Sequence, residues 1–415
     1  MIHRKCILLR KSLLLVVASA ASALSHAMCP TITPWSAPVN LSQSGNLTSN
    51  VFSAATSAGF MTVWADSSNN GHYSFSADGL TWSSGLITTA TDVLATSDVF
   101  VAGNDTGFMV TWIDSSNNGW SSFSADNGNN WSVANQINGG LALDSNTDVY
   151  VAGGSTGFVA TMLVPNTGTG NDDAYVSFST GTAAWSIPVA VTTDGSVSRY
   201  QTNSASTGRG FVSVAISGNS CMLAWLNVSQ AIYSAYFTSI NPFSSTTVYP
   251  IVNIGFFYSV PILAQANGYF MAVALVAGSP DLTYFIVTAN PPNTNWGVFT
   301  FTPNNFSTTG PWVAANQTGF ISTWPDNSTP VWTLSENNGF NWTPVCSILD
   351  PVSTAIGGFI GLSANSHGFV ASWFDSNDSN AYASFYVTPA TTSPAGSLFV
   401  TLLQQKYGPL LNEPV

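Results

Sequence analysis

The amino-acid sequence predicts an all-β fold, a seven-bladed β-propeller of four-stranded antiparallel blades whose ring is closed by the N-terminal strand. The first observation is a repeat of about 50 residues. The segment GFMTVWADSSNNG begins at Gly59, and the closely similar GFMVTWIDSSNNG begins at Gly107. The second observation is that apolar and polar residues alternate within each repeat, which is the period of a β-strand. Short strands repeated at this spacing are typical of a radial array of small sheets.

Each repeat has an anchor residue, usually aromatic, near the start of its second strand. A Trp commonly follows four residues after the anchor and an Asp six residues after it, as in Trp112 and Asp114. The anchors are Phe60, Phe108, Phe158, Cys221, Tyr269, Phe320 and Phe369. We name the four strands of a repeat a, b, c and d in chain order, with the anchor on strand b. Gly, Asn, Asp and Ser separate the strands, where tight turns favour them.

The two ends of the chain predict how the ring closes. The last repeat supplies strands a, b and c but no strand d, whereas residues 34–42 resemble a strand d placed before the first repeat. Residues 35–41 are therefore expected to pair beside residues 381–387, which removes a free sheet edge. In most repeats strand d is expected to begin at a Trp, namely Trp82, Trp131, Trp185, Trp296 and Trp342. Two smaller propellers or an open solenoid are the alternatives.

The N-terminal residues have the pattern of a secretory signal peptide, with basic residues followed by an apolar stretch too short to span a bilayer. The predicted domains are a signal peptide at 1–27, the propeller at 28–390 and a C-terminal tail at 391–415. Within the tail, residues 398–407 have the pattern of a short amphipathic helix. We expect the mature chain to be a monomer that is secreted or displayed at the cell surface.

The charge balance excludes several classes of partner. The chain has 7 Lys and Arg residues against 19 Asp and Glu residues. Four of the basic residues, Arg4, Lys5, Arg10 and Lys11, lie in the predicted signal peptide, whereas every acidic residue follows it. A chain this acidic is not expected to bind nucleic acid or an anionic membrane by counterion release. No later segment is long and apolar enough to predict a membrane span.

Three cysteines remain after removal of the signal peptide. Cys221 occupies an anchor position, which favours a buried free thiol. Cys29 and Cys346 would form a disulfide in an oxidising compartment if the sixth blade neighbours the closing blade. The sequence alone leaves that pairing open.

A second motif lies in the turn before strand d. SADNGNNW at residues 124–131 follows the pattern S-x-D-x-G-x-x-W, SENNGFNW at residues 335–342 matches it with Asn for Asp, and SADGLTW at residues 76–82 is one residue shorter. These segments resemble the Asp-box (BNR) repeats of the bacterial-sialidase-like β-propeller superfamily. The resemblance implies that the motif residues brace the hairpin and pack between sheets. They are Ser124, Asp126, Gly128, Trp131, Ser335, Asn337, Gly339 and Trp342.

The resemblance does not extend to a sialidase active site. Sialidases use three arginines to grip the substrate carboxylate, together with a Tyr–Glu nucleophile pair and an acid Asp. Beyond the predicted signal peptide the only arginines are Arg199 and Arg209, and the only glutamates are Glu336 and Glu413. We therefore assign no catalytic residue from the resemblance, since a shared fold does not transfer activity.

The loops between strands b and c are the remaining candidate site. They begin at the Asp six residues beyond the anchor, and Trp120 and His72 lie at the ends of two of them. The candidate ligand-binding residues are Asp66, Asp114, Trp120, Asp326 and Asp375. One interpretation is a hairpin turn with Asx hydrogen bonds, a second is sugar binding, and a third is calcium. Ala77 and Ala125 stand where a calcium loop would carry its bidentate Glu, so no metal or other cofactor is assigned.

The favoured function is a non-enzymatic binding module for a glycan or an extracellular surface protein, acting through the b–c loops on one face. Trp120 is expected to be an exposed loop aromatic whose loss weakens binding but hardly changes stability. The alternative is a glycoside hydrolase of sialidase-like fold that uses aspartates. It would require a carboxylate pair of suitable separation, one of them with a raised pKa. The adjacent Asp172 and Asp173 form the most unusual acidic pair and are interpreted as a solvated turn.

Overall fold

The computed structural model describes residues 29, 34–42, 46–181, 184–198, 210–244, 247–252, 259–275, 283–289, 296–301, 310–326, 329–348 and 356–387. Within these ranges every helical or strand element is a β-strand, and the strands are numbered β1 to β28 in chain order. The predicted signal peptide, the C-terminal tail and the helix predicted within the tail lie outside the described residues.

The strands form seven four-stranded antiparallel sheets, which we number in chain order. Sheet 1 comprises β2 (Phe52–Thr56), β3 (Gly59–Ala65), β4 (Gly71–Ser76) and β5 (Ser83–Leu86). Sheet 2 comprises β6 (Phe100–Asn104), β7 (Gly107–Ile113), β8 (Gly119–Ser124) and β9 (Asn135–Gln136). Sheet 3 comprises β10 (Tyr150–Gly154), β11 (Gly157–Pro165), β12 (Asp172–Ser179) and β13 (Val189–Ala190). Sheets 4 and 5 comprise β14 (Ser213–Ser217), β15 (Ser220–Leu226), β16 (Ile232–Phe237), β17 (Thr247–Val252); and β18 (Ile262–Ala266), β19 (Tyr269–Leu275), β20 (Thr283–Ala289), β21 (Gly297–Phe301). Sheets 6 and 7 comprise β22 (Trp312–Asn316), β23 (Gly319–Asp326), β24 (Thr329–Ser335), β25 (Cys346–Ser347); and β26 (Ile356–Asn365), β27 (Gly368–Asp375), β28 (Asn380–Val387), β1 (Val39–Asn40).

The sheets are arranged in a closed ring. The first strand of each sheet contacts the first strands of both neighbouring sheets, and β26 of sheet 7 contacts β2 of sheet 1. Strand β1, from the N-terminal part of the chain, pairs with β28 and supplies the outermost strand of sheet 7. The all-β propeller is confirmed, and the strand pairing places seven sheets in the ring.

Strand b is fully buried in sheets 1 and 2. Every residue of β3 and of β7 is buried, because neighbouring sheets cover both faces of the strand. The Gly that opens the strand allows this close packing. At Gly59, with φ of +150°, a Cβ atom would lie 2.3 Å from the Ser76 carbonyl oxygen. The GF sequence that recurs along the chain therefore reflects a backbone approach that only glycine permits.

Aromatic rings fill the centre of the ring. They lie on strand a or just before it in six sheets and are Phe52, Phe100, Tyr150, Phe211, Trp312 and Phe359. Rings from sheets that are not neighbours meet, since the ring centroids of Phe100 and Phe211 lie 5.2 Å apart and those of Phe211 and Trp312 lie 6.3 Å apart. Such edge and tilted arrangements add to the energy of apolar burial.

The outermost strands are shorter than the sequence predicts. Strand d was expected to begin at a Trp, but in sheets 3, 6 and 7 it begins only after Pro188, Pro344 and Pro38. Proline has no N–H to donate to a neighbouring strand, so the regular pairing starts beyond it. The predicted closing strand at 35–41 is reduced to β1 and a single bridge between Trp35 and Tyr386.

The N-terminal segment is fastened to two sheets. Trp35 is buried, and its ring centroid lies 6.1 Å from that of Trp332 in sheet 6 and 5.4 Å from that of Tyr386 in sheet 7. Cys29 and Cys346 form a disulfide with a Cα–Cα distance of 5.6 Å, which answers the question that the sequence left open. Cys221 is a buried free cysteine, as predicted, and burial raises the pKa of its thiol.

Candidate functional site

The b–c turns and the connections from strand d to the next strand a lie at the same end of the ring. Leu47, Val93 and Val197 belong to such connections and form bridges with Asp66, Asp114 and Asn227 at the ends of strand b. We call this end the b–c face. The a–b turns and the c–d turns, three of which carry the segments that resemble Asp boxes, lie at the opposite end, which we call the Asp-box face.

The b–c turns of sheets 1, 2 and 4 share one hydrogen-bonding pattern. Asp66 Oδ1 accepts from the backbone N–H groups of Ser68 and Asn70, both at 2.9 Å. Asp114 Oδ1 accepts from the equivalent amides two and four residues on, at 2.9 and 2.8 Å, and Asn227 Oδ1 does so at 3.0 and 2.9 Å. These contacts are the Asx hydrogen bonds that the sequence suggested. An amide side chain makes them as well as a carboxylate does.

The second carboxylate oxygen holds an aromatic ring on strand c. His72 Nε2 lies 2.8 Å from Asp66 Oδ2, and Trp120 Nε1 donates to Asp114 Oδ2 at 2.7 Å. In sheet 7 the Tyr382 hydroxyl donates to Asp378 Oδ2 at 2.6 Å. All three rings are half-buried, and 25% of the His72 side chain is exposed. We call these three contacts the aromatic–carboxylate pairs: Asp66–His72, Asp114–Trp120 and Asp378–Tyr382.

A buried tryptophan on strand b lies behind each ring. Trp64 and His72 stack with centroids 5.8 Å apart and an interplanar angle of 4°. Trp373 and Tyr382 stack at 6.3 Å and 18°. In sheet 2 Trp112 is the direct cross-strand partner of Trp120. The His72 and Tyr382 rings are therefore stacked on a tryptophan, and all three rings are held at their polar tip, which fixes their orientation.

Several candidate ligand-binding residues have positions and contacts that differ from those predicted. Trp120 is not an exposed loop aromatic, because it is the second residue of β8, half-buried and hydrogen-bonded. Asp375 is buried, and its Oδ1 accepts from the backbone N–H of Asn377. The carboxylate that holds the ring in sheet 7 is Asp378, which the sequence interpretation passed over. The DSNDSN loop contains two aspartates, and only the geometry shows which of them reaches the ring.

Asp172 and Asp173 do not form a solvated turn. Both are buried at the start of β12. Asp173 accepts hydrogen bonds from Asn166 Nδ2 at 2.8 Å, from the Gly195 N–H at 2.8 Å and from Thr192 Oγ1 at 3.2 Å. These contacts bind the b–c turn of sheet 3 to the connection that leads into sheet 4.

The three carboxylates of the aromatic–carboxylate pairs are kept ionised by their hydrogen bonds. For Asp66, partial burial raises the pKa, but the hydrogen bonds from Asn70, His72 and Ser68 outweigh it and leave the pKa below its ordinary value. The pKa of Asp114 is lowered in the same way, and so is that of Asp378. The hydrogen bond to Asp378, followed by burial, raises the pKa of Tyr382 to about 12. The Tyr382 phenol therefore stays protonated and is not activated as a nucleophile.

Asp326 differs from the other b–c aspartates. Its Oδ1 is buried without a hydrogen-bond partner, and burial raises the pKa of the carboxyl. Its place at the end of β23 matches that of Asp66 and Asp114, but the cross-strand partner of Trp324 on strand c is Val331. Sheet 6 consequently has no aromatic ring at the position of Trp120.

The c–d turns of sheets 2 and 6 are held by the hydroxyl of a Ser and the side-chain oxygen of an Asp or Asn. Ser124 Oγ donates to Asp126 Oδ1 at 2.9 Å and accepts from the Gly128 N–H at 2.8 Å. Asn130 N–H donates to Asp126 Oδ1 at 2.8 Å. Ser335, Asn337, Gly339 and Asn341 repeat these contacts in sheet 6, and Trp342 Nε1 donates to the Gly339 carbonyl at 3.0 Å. Trp131 packs edge-on against Tyr73 of sheet 1, with ring centroids 5.6 Å apart.

Replacing Gly128 with Ala is expected to destabilise the protein more than replacing Gly140 with Ala. Both glycines have positive φ, +94° and +87°, so both variants carry the cost of the left-handed backbone, about 1–2 kcal/mol. At Gly128 a Cβ would also lie 2.2 Å from the Tyr73 ring, whereas no atom lies within 4 Å at Gly140. Equal melting temperatures for the two variants would show that the Asp-box turn is not packed against sheet 1.

Acid is expected to destabilise the fold. The pKa values of Asp66, Asp78, Asp114, Asp126 and Asp378 are lowered in the folded protein. An acid whose folded pKa is lowered contributes stability above its unfolded pKa of about 4, and this contribution is lost as pH falls through the folded pKa. Thermal melts should show a falling melting temperature below about pH 4.

The pKa of Asp326 is shifted in the opposite direction, since it is raised in the folded protein, so Asp326 provides the control for this prediction. Its ionised form is disfavoured in the fold, so Asp326→Asn should not lower the melting temperature at neutral pH. A melting temperature that does not change between pH 7 and pH 2 would contradict the assignment of the hydrogen-bonded carboxylates.

No three His, Cys, Asp or Glu side chains in the described part of the chain are grouped so that they could hold a metal ion. None of the described segments is a helix of the length and hydropathy needed to cross a membrane.

Comparison with known proteins gives a likeness of fold only. No protein-family model matches the chain, and no curated protein matches it. Among solved structures, Aleuria aurantia lectin in complex with Fucα1-6GlcNAc matches 74% of this chain and 98% of its own at 10% identity, with a TM-score of 0.47. A Trypanosoma rangeli sialidase matches 92% of this chain and 61% of its own at 9% identity and TM-score 0.45. An α-L-arabinofuranosidase from Fusarium graminearum matches 85% of this chain and 97% of its own at 11% identity, with a TM-score of 0.47.

At identities and TM-scores this low, the likeness carries no argument about ligand or chemistry. The blade count also differs, because the Aleuria aurantia lectin is described as a six-bladed β-propeller, whereas the strand pairing here gives seven sheets.

Proposed function

We propose that this protein is a glycan-binding module whose sites are the aromatic–carboxylate pairs on the b–c face. The observation that carries the proposal is the recurrence of one arrangement in sheets 1, 2 and 7, a half-buried ring whose polar tip is held by a turn carboxylate. Rings presented in this way offer a flat apolar surface beside hydrogen-bonding groups. Sugars carry an apolar face and a rim of hydroxyls, so they fit such a surface.

The carboxylates are not needed for the turns themselves. Asn227 makes the same pair of Asx hydrogen bonds in sheet 4 with an amide oxygen. In both sheets 1 and 2 the backbone amides of the turn use Oδ1 and the ring is held by Oδ2, which in sheet 2 also accepts from the side chain of Asn118 at 3.1 Å. A carboxylate that orients an aromatic ring at the protein surface supports a role in binding, because preorganised groups lose less entropy when a ligand arrives.

The three pairs are expected to bind with different strength. Trp120 has the largest ring, and beside it lie the amides of Asn118 and Gln136, which are hydrogen-bonded to each other at 3.2 Å. Tyr382 has Asn40 within 3.5 Å of its hydroxyl. His72 faces the exposed Leu86 across the sheet. We place the strongest site at Trp120. Weaker sites at the other two pairs, on the same rigid face, would add avidity.

The hydrolase alternative has less support. A glycoside hydrolase needs a protonated acid and an ionised carboxylate on opposite sides of one bond. Asp326 has the raised pKa of an acid, but no hydrogen bond or ion pair among the described residues links it to a second carboxylate. The ionised carboxylates Asp66, Asp114 and Asp378 are each occupied in holding a ring.

We further propose that the chain is exported and that its c–d turns belong to the Asp-box class. The disulfide between Cys29 and Cys346 supports export, because disulfides persist in oxidising compartments. The Ser–Asp–Gly contacts in the turns of sheets 1 and 2 support the second point. The expectation that no cofactor is bound, with calcium in the b–c loops as an alternative interpretation, stays a prediction.

Truncating Trp120 is the direct test of the glycan site. After a glycan array has identified a bound sugar, Trp120→Ala should weaken its binding about thirtyfold, the loss typical of a central aromatic anchor. Trp120→Phe keeps a flat six-membered ring but loses the five-membered ring and its N–H, so its binding should fall severalfold, less than in Trp120→Ala. Calorimetric titration of both variants, together with a thermal melt of each, separates loss of the site from loss of the fold.

Two outcomes would contradict the proposal. One is the absence of any bound glycan on the array. The other is a folded Trp120→Ala variant that binds the identified sugar as tightly as the native chain does.

A further inference from the structure

The described part of the propeller contains no Lys and no Arg. The basic residues that follow the predicted signal peptide, Arg199, Arg209 and Lys406, all lie outside the described residues. His72 Nε2 lies 2.8 Å from Asp66 Oδ2, and its imidazole ring stacks on Trp64. The described carboxylates are therefore stabilised by amide, hydroxyl and ring donors rather than by cations.

The carboxylates are unevenly distributed between the two faces. The Asp-box face carries Asp78, Asp105, Asp126 and Glu336. The b–c face carries many more, in its turns and in the connections between sheets: Asp66, Asp92, Asp98, Asp114, Asp144, Asp148, Asp172, Asp173, Asp194, Asp326, Asp375 and Asp378. Each proposed sugar site thus has an ionised carboxylate in contact with its ring, on the face that carries most of the described carboxylates.

We infer that the b–c face selects uncharged glycans and rejects sugars that carry carboxylate, sulfate or phosphate groups. This inference rests on the proposed function and specifies the class of ligand for the same sites. Recognition of an anionic sugar requires a cationic group, usually the guanidinium fork of Arg. At Trp120 the nearest polar partner is the Asp114 carboxylate at 2.7 Å, which repels an anion and accepts hydrogen bonds from sugar hydroxyls.

Asp92 offers a way to change the charge without touching the site. It is exposed on the connection that leads into sheet 2, and Ser115 Oγ, next to Asp114, donates to its Oδ2 at 2.9 Å. An Asn at this position keeps an acceptor for Ser115 and removes one negative charge near Trp120. Asp105, exposed in an a–b turn on the Asp-box face, is the matched control.

The experiment uses an array of glycans printed as matched pairs, each neutral glycan beside its sialylated, sulfated or uronic-acid counterpart. The tightest pair is then titrated at low and at high salt. We expect the acidic member to bind at least about tenfold more weakly at low salt, and the difference to shrink as salt screens the charges. Asp92→Asn should bring the acidic member closer to the neutral one, whereas Asp105→Asn should leave the ratio unchanged.

The outcomes separate this inference from the proposed function. Equal or tighter binding of the acidic members would overturn the inference and leave the glycan site intact. Binding of no glycan at all would remove the proposed function, and the inference would fall with it. A ratio that changes equally in Asp92→Asn and Asp105→Asn would show that net charge, and not the b–c face, sets the selection.

Discussion

Removing residues 28–42 is expected to leave a chain that no longer folds stably at 37 °C. The deletion takes away β1, the buried side chains of Trp35 and Leu41, and the Cys29–Cys346 disulfide. Loss of a native disulfide typically costs about 2–5 kcal/mol, and truncating one large buried side chain costs about as much. The free energy of unfolding of a domain is typically only about 5–15 kcal/mol, so these losses together approach all of it. The deletion also exposes β28 as a free edge, which favours aggregation.

The contributions of the strand and the disulfide can be separated. Cys29→Ser should lower the melting temperature by the contribution of the disulfide alone, because Cys29 is exposed, whereas Cys346→Ser also places a hydroxyl in a buried position. The deletion should lower it much further. If the deletion and Cys29→Ser have the same effect in thermal melts, β1 contributes nothing to closure and the ring is held by the disulfide alone.

Trp112→Ala is expected to cost about 3–5 kcal/mol of unfolding free energy, the usual cost of truncating a buried Trp. Trp112 is 3% exposed and lies on β7, every residue of which is buried. Trp120→Ala should cost less, because that ring is half-buried, although the variant also leaves Asp114 without its indole donor. Denaturant unfolding of both variants gives the comparison. A larger loss in Trp120→Ala than in Trp112→Ala would mean that the strand register is wrong.

The repeat explains why so much of the fold could be predicted. Gly59 and Phe60 recur because strand b needs a glycine at a close backbone approach and an apolar anchor in the core. The outer strands were predicted less well, since a Trp marks the c–d turn but Pro188 and Pro344 delay the pairing that follows it. Short edge strands depend on such local details, which the alternating pattern does not encode.

The candidate site could be predicted only in part. The repeated DSSNNG loops identified Asp66 and Asp114, and the Asx pattern of these residues follows from their type. That the second oxygen of each carboxylate holds a ring depends on the cross-strand register, which is known only from the structure. Asp378, which holds the Tyr382 ring, was missed for this reason. Asp326 was expected to resemble Asp66 and Asp114, but its carboxyl is partly desolvated.

We propose that the b–c face, and not the Asp-box face, binds a glycan. The most direct measurement is a titration of the array-identified sugar with folded Trp120→Ala and Trp131→Ala variants, since both tryptophans are half-buried in sheet 2 but lie at opposite ends of it. We predict that Trp120→Ala binds about thirtyfold more weakly than the native chain and that Trp131→Ala binds as the native chain does. Loss of binding in Trp131→Ala with native affinity in Trp120→Ala would contradict the account.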